Sequence, residues 1–140
     1  MNEQVVQNPK GAADCDSIWL LDDDVSILKA LGRLMNSVGL RVEKFNDPID
    51  FFGRLKHAQC HVAVIDVCMP QLSGLEVQAR LRQDSPETRI IFMTGRDNAW
   101  ARQSALDAGA FAFLAKPFEG ETLVRLVRKV FGYVNVSGAI

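Results

Sequence analysis

Three consecutive carboxylates, Asp22, Asp23 and Asp24, follow directly on the apolar run SIWLL and repel one another unless something shares their charge. A solvated turn or a helix N-cap carries such a cluster cheaply, and so does a cation. Mg²⁺ takes oxygen ligands octahedrally and is commonly held by one or two carboxylates, several waters and a phosphate. Three more chemically capable residues close apolar runs elsewhere: Asp66 after HVAVI, Thr94 after RIIFM and Lys116 after AFAFLA. Gathered in one place, they surround Asp66 with a metal and an ammonium group. The Thr94 hydroxyl and the open backbone N–H of Gly95 then serve as neutral donors. That set suits phosphoryl transfer onto Asp66, because an aspartate can act as nucleophile and form an acyl phosphate. The surrounding protein then mainly positions groups and neutralises charge. Taken singly, a Lys-Pro step is a turn and a threonine after a strand is structural; only their convergence carries meaning.

Convergence depends on the elements. The run at 17–21 reads as a strand buried on both faces. Apolar residues at Val25, Leu28, Leu31, Leu34, Met35 and Val38 have helical spacing, stopped by Gly39. Residues 40–45 alternate as a half-buried or edge strand does. Asp47-Pro48 opens a second helix as N-cap and first residue, with Ile49, Phe52 and Leu55 on its apolar face and its end near His57. Strands follow at 61–66, 89–95 and 110–115. Helices are expected over about 75–83 and 98–107 (stopped by Gly109), and in the last segment, on whose apolar face lie Leu123, Leu126, Val127 and Val130. Five successive βα units predict an α/β fold, a parallel sheet with right-handed crossovers and helices on both faces. Such sheets bind ligands outside the carboxyl ends of their strands, where Asp22, Asp23, Asp66, Thr94 and Lys116 all fall.

The chain has 140 residues and a formal net charge of −1, the size of one domain without a general electrostatic grip on nucleic acid or an anionic membrane. Its three cysteines, Cys15, Cys60 and Cys68, have no CxxC spacing, which argues against a disulfide framework or a structural zinc site. Reduced thiols fit a cytoplasmic protein. No apolar run approaches the ~20 residues of a membrane span. Residues 1–16 lack the order of a signal peptide and read as a flexible tail.

The segments LLDDD, VIDVCMPQLSG, IIFMTG and GAFAFLAKPF together resemble the successive signatures of the receiver domain of two-component response regulators, over residues 17–132. The pattern D-x-x-M-P-x-x-x-G is met in full by Asp66, Met69, Pro70 and Gly74. The resemblance implies a flavodoxin-like, doubly wound (βα)5 sandwich with strand order 2-1-3-4-5. Asp66 would accept a phosphoryl group from a phosphohistidine on a sensor histidine kinase or a histidine phosphotransfer protein. Asp23 and Asp66 would bind Mg²⁺, or Mn²⁺, directly, with the backbone carbonyl of Cys68 as a third protein ligand. Asp22 would act mainly through a metal-bound water. Lys116, joined to Pro117 by a cis bond, would pair with the phosphate, which the backbone N–H groups of Val67 and Gly95 would also meet.

The resemblance further implies that Thr94 swings toward the phosphoryl group and lets Phe113 rotate inward, altering the face of the fourth helix, fifth strand and fifth helix. From its residue type alone, Phe113 is equally a core residue. The alternation in AFAF places Phe111 and Phe113 on the same side of the strand, and only the family register singles out one of them. Cys68 and Arg96 hold positions that help set phosphoryl hydrolysis in the family, and Cys68 is either an inert small side chain or a redox site.

Such a receiver is a signalling switch whose only catalysis is its own Mg²⁺-dependent phosphorylation and dephosphorylation. Residues 133–140 read as a short C-terminal tail with no output domain in this chain. The expected targets are therefore a downstream protein or an output domain of a longer regulator, with a homodimer possible on phosphorylation. Nucleic acid and membrane are not expected partners of this chain alone. Two alternatives stand beside this reading. A phosphatase of the haloacid dehalogenase type needs a second aspartate two residues after the nucleophile, where this chain has Cys68. A phosphorylation-independent adaptor usually lacks an acid, the nucleophile or the lysine, all present here.

Overall fold

In a computed structural model, the chain is described over residues 17–95 and 99–139, with side chains as far as Gly132. The expected N-terminal tail and Arg96 lie outside the described residues. The elements alternate as β1 (Ser17–Leu21), α1 (Val25–Ser37), β2 (Arg41–Phe45), α2 (Pro48–Leu55), β3 (Val62–Asp66), α3 (Gly74–Asp84), β4 (Arg89–Thr94), α4 (Ala99–Asp107), β5 (Ala112–Ala115) and α5 (Gly120–Ala139). The five strands are parallel in the order β2-β1-β3-β4-β5, the doubly wound α/β arrangement expected.

The side-chain period of two explains the layering. Successive residues of a strand face opposite sides, so Trp19, Ala63, Ile65 and Phe92 pack on one face with Phe51, Phe52, Val77 and Leu81 from α2 and α3. Ile18, Leu20, Val64 and Ile91 pack on the other with Leu28, Leu31 and Met35 of α1 and Leu123 and Val127 of α5. β1 and β3 are buried along their whole length, because helices cover both faces of the central strands. Trp19 anchors an aromatic cluster, edge-on to Phe51 with ring centroids 5.4 Å apart. Cutting such a core aromatic to alanine costs about 3–5 kcal/mol.

Helix ends follow local chemistry. Asp47 caps α2 through a 2.8 Å bond from the Ile49 N–H, with Pro48 at the first turn. Ser73 and Glu76 form a reciprocal capping box on α3. Gly39 follows α1 at φ +85°, a left-handed conformation that glycine adopts without steric cost.

Four expectations are corrected. Ile49 is 76% exposed because Phe51 and Phe52 turn the buried face of α2 away from it. The fifth strand begins at Ala112, since Gly109 (φ +100°) and Ala110 are still closing α4 through bonds to Leu106 and Ala105 carbonyls. As a result, Phe111 joins the α1/α5 core while Phe113 joins the opposite one, so the two rings do not share a side. Finally, helix α5 continues to Ala139, through residues read as a tail. No proline interrupts that segment.

Candidate functional site

The three neighbouring acids have three different fates, set by backbone position. Asp22 lies one residue past β1, and its N–H still donates to the Phe45 carbonyl at 3.1 Å. The sheet ladder thus draws its carboxylate fully out of water. Asp23, facing outward on the turn, is exposed. Asp24 is the N-cap of α1: its Oδ1 accepts from the N–H groups of Ser26 (2.9 Å) and Ile27 (3.4 Å), while its own N–H donates to Asp22 Oδ1 at 2.9 Å. The turn and N-cap reading therefore accounts for Asp24, and the cation-site reading retains Asp22 and Asp23.

Asp66 ends β3 in register beside Met93 of β4, and it is only 5% exposed. One carboxylate oxygen from each of Asp22, Asp23 and Asp66 lies within 4.8 Å of the others. Lys116, just beyond β5, reaches across this group: its Nζ donates to Asp22 Oδ2 at 3.0 Å and stands 3.9 Å from Asp66 Oδ1. Its backbone N–H donates to the Thr94 carbonyl, which fastens the end of β5 to the end of β4. The Lys116–Pro117 bond is cis. Thr94 is buried at the end of β4 and Gly95 is exposed directly after it, so the strand ends bring the expected residues to one rim.

Burial is the largest influence on the Asp66 carboxyl, and the Asp22 carboxylate adds to it. Together they push its pKa from 3.8 to about 6, against the opposing pull of Lys116 and of the Cys68 N–H, with Asp23 adding slightly to the rise. The Cys68 N–H donates to Asp66 Oδ1 at 3.3 Å. The Val67 N–H, by contrast, is committed to the Met93 carbonyl at 2.9 Å. The expectation that Val67 offers its N–H to a phosphate is corrected accordingly: its donor continues the β3–β4 ladder, and the amide facing the carboxylate belongs to Cys68.

Gly74 shows why the loop after Asp66 needs a glycine. A Cβ there would stand 2.8 Å from the Asp66 carbonyl oxygen, 2.8 Å from Val67 Cα and 3.0 Å from a ring atom of Phe92. The Gly74 N–H donates to the Val67 carbonyl at 2.8 Å, so α3 begins in direct contact with the backbone that carries Asp66. Beside Lys116 opens an apolar groove of about 530 Å³, lined by Ile27, Leu31, Leu34, Pro117 and Phe118 among others.

Phe113, on β5, is half-buried. Its ring lies 6.1 Å from that of Phe92 at 49°, and the guanidinium of Arg102 on α4 stands over it at 5.5 Å. Sequence reasoning missed Arg102, since nothing in the local pattern of α4 marks one polar residue as the neighbour of a particular ring on β5.

The donor set suits a hard divalent cation. It offers the carboxylate oxygens of Asp22, Asp23 and Asp66 rather than imidazoles. Exposed Asp23 gives a hydrated ion a way in, and the close-set negative charges are only partly offset by Lys116.

The family whose sequence pattern matches is the response regulator receiver domain, over residues 18–128. Over 111 residues, 79% of this chain, it is 38% identical to the response regulator protein TodT of Pseudomonas putida strain F1 and 36% identical to the response regulator MprA of Mycobacterium leprae, covering 49% of each. The chain thus spans about half the length of these curated relatives. Among solved structures, it is similar to the beryllofluoride-activated DrrB receiver domain (31% identity, TM-score 0.75, covering 83% of this chain and 97% of that one). A Vibrio cholerae chemotaxis protein, CheY4, matches with 28% identity, TM-score 0.75, and 81% and 97% of the two chains.

Proposed function

The chain belongs to the response regulator receiver domain family, and from that premise we propose that it is the phosphorylation-dependent switch of a two-component system, with Asp66 as its phosphoacceptor. The observation that carries this reading is the convergence of Asp22, Asp23 and Asp66, their oxygens within 4.8 Å of one another, beneath a lysine 3.0 Å from Asp22 and 3.9 Å from Asp66.

The donor is a phosphohistidine of a histidine kinase or phosphotransfer protein. An ionised Asp66 oxygen attacks phosphorus, the P–N bond breaks, and the imidazole leaves with its proton restored. Asp23, Asp66 and the Cys68 carbonyl would hold Mg²⁺, or Mn²⁺ in its place, with Asp22 contributing to the same acidic cluster. The cation's chemistry is neutralisation of the phosphoryl oxygens and of the crowded acids. Lys116 releases part of its hold on Asp22 and pairs with the new dianion. The N–H groups of Cys68 and Gly95 and the Thr94 hydroxyl provide the remaining donors. The apolar groove beside Lys116 gives a protein donor a dry contact next to the reacting carboxylate.

Movement of Thr94 toward the phosphoryl group opens space for Phe113, and the surface of α4, β5 and α5 carries the result to a downstream protein, an output domain of a longer regulator or a second copy. A new dianion that biases a two-state element is a general form of switching. The protein works in the cytoplasm on this reading, and no helix among the described residues is long and apolar enough to cross a membrane. The Cys68 side chain and Arg96 are candidates for setting the phosphoryl lifetime, tested by the dephosphorylation rates of Cys68→Ala and Arg96→Ala.

The deciding experiment incubates the protein with acetyl phosphate and Mg²⁺ and weighs the intact product. One added phosphoryl group, lost in Asp66→Asn and in EDTA, supports the proposal. Absence of an adduct, together with no response to beryllofluoride, favours the phosphorylation-independent adaptor.

A further inference from the structure

We propose that Arg102 is the positioning residue of the switch ring Phe113, holding it in the resting arrangement through a cation–π contact that inward rotation must break. This rests on the reading of Asp66 as phosphoacceptor and Phe113 as its mobile reporter. Two features identify the arrangement described above as the resting one. Lys116 is bonded to Asp22 at 3.0 Å and stands farther, 3.9 Å, from Asp66, whereas a phosphoryl group on Asp66 draws the ammonium to itself. Phe113 is only half-buried, against Phe92 on one side and Arg102 on the other.

The geometry makes the two contacts compete. Ala101 and Ala105 of α4 are buried, so the helix lies close on the sheet, and Arg102 flanks that contact with its guanidinium 5.5 Å from the Phe113 centroid. That distance is within the range in which a cation is attracted to the face of an aromatic ring. Rotation toward the space vacated by Thr94 carries the ring away from the guanidinium. Phosphorylation therefore has to overcome the contact, and Arg102 sets part of the threshold at which the switch turns. A ligand shifts such an equilibrium only by its differential affinity for the two states. Weakening the resting state must accordingly tighten the binding of a phosphoryl mimic.

The test titrates the protein with beryllofluoride in Mg²⁺, following the amide signals of Gly95 and Phe113 by NMR, for wild type, Arg102→Gln, Arg102→Lys, Phe113→Leu and the double variant Arg102→Gln/Phe113→Leu. Urea midpoints establish that each variant is folded. Arg102→Gln is expected to bind the mimic about two- to fivefold more tightly than wild type, with Arg102→Lys in between. In the Phe113→Leu background, Arg102→Gln is expected to change nothing. The cycle isolates the shared contact and cancels the other interactions of Arg102. The proposal is overturned if Arg102→Gln leaves the affinity unchanged, or changes it equally with and without the ring. It falls with its premise if wild type shows no response to beryllofluoride, an outcome distinct from binding that is indifferent to Arg102.

Discussion

Replacing Asp66 by asparagine should make the metal-free protein more stable while abolishing its phosphorylation. The native carboxyl is raised from 3.8 to about 6 by burial and by Asp22, so folding disfavours its ionised form. At about 1.36 kcal/mol for each tenfold change in the ionisation equilibrium, that rise corresponds to about 3 kcal/mol. Water above the exposed Asp23 screens part of it, and about 1–2 kcal/mol is the expected net effect. For a carboxyl raised on folding, the favourable contribution is fully present below pH 3.8 and is lost as the pH rises through about 6. The gain in Asp66→Asn should therefore be full at about pH 7 and above, half-developed near about pH 5, midway between the unfolded and folded values, and lost below about pH 3. Asparagine keeps an acceptor for the Cys68 N–H, and Lys116 keeps its closer partner, Asp22, at 3.0 Å. Urea unfolding in EDTA, read by the fluorescence of the buried Trp19, measures the difference at each pH. Saturating Mg²⁺ should reverse the order, because a ligand that binds only the folded state stabilises it by mass action. An Asp66→Asn variant less stable than wild type at pH 8 without metal, or a difference that does not vary with pH, would refute the account of the pocket as a store of unfavourable charge.

Three further outcomes follow from the same geometry. Asp24→Ala removes the cap of α1 and should cost about 1 kcal/mol in urea unfolding while leaving acetyl phosphate labelling of Asp66 intact; loss of labelling would place Asp24 within the site. Gly74→Ala forces a Cβ to within 2.8 Å of the backbone at Asp66 and Val67 and should cost about 1–3 kcal/mol. Because that backbone carries the proposed nucleophile, labelling should slow in the folded fraction, and an unchanged rate would show that the loop yields without disturbing Asp66. Mg²⁺ affinity, measured by calorimetry, should fall as the pH drops through about 6, where a proton competes for the Asp66 carboxylate; a flat profile from pH 5 to 8 would remove Asp66 from the ligand set.

Much of this site was legible because it depends on the backbone alone. Asp22, Asp23, Asp66, Thr94 and Lys116 each follow a short apolar run, and in a parallel sheet the end of every such run reaches the same rim. What escaped sequence reasoning depends on packing between distant elements. Ile49 has helical spacing with Phe52 and Leu55, yet Phe51 decides which way α2 faces. Phe111 and Phe113 differ by two residues, but the turn after α4 delays the strand to Ala112 and sends the rings to opposite cores. Arg102 meets Phe113 only because α4 lies along β5.

The sharpest case is the acidic triplet, three identical side chains whose roles diverge within one turn. A solvated turn needs no explanation for its charge, and Asp24 requires none beyond its cap. Asp22 is different, since a fully buried carboxylate is strongly unfavourable without a partner. Its partner, Lys116, lies 94 residues away in sequence, just beyond the edge strand β5. The pair spans the sheet, because β1, β3, β4 and β5 lie side by side and bring Asp22 within 3.0 Å of Lys116. On the proposed function, the ammonium that pairs with an incoming phosphate is held ready by the acid it partly leaves. The strand order that builds the sheet thus also sets the rim on which Asp22, Asp66 and Lys116 meet.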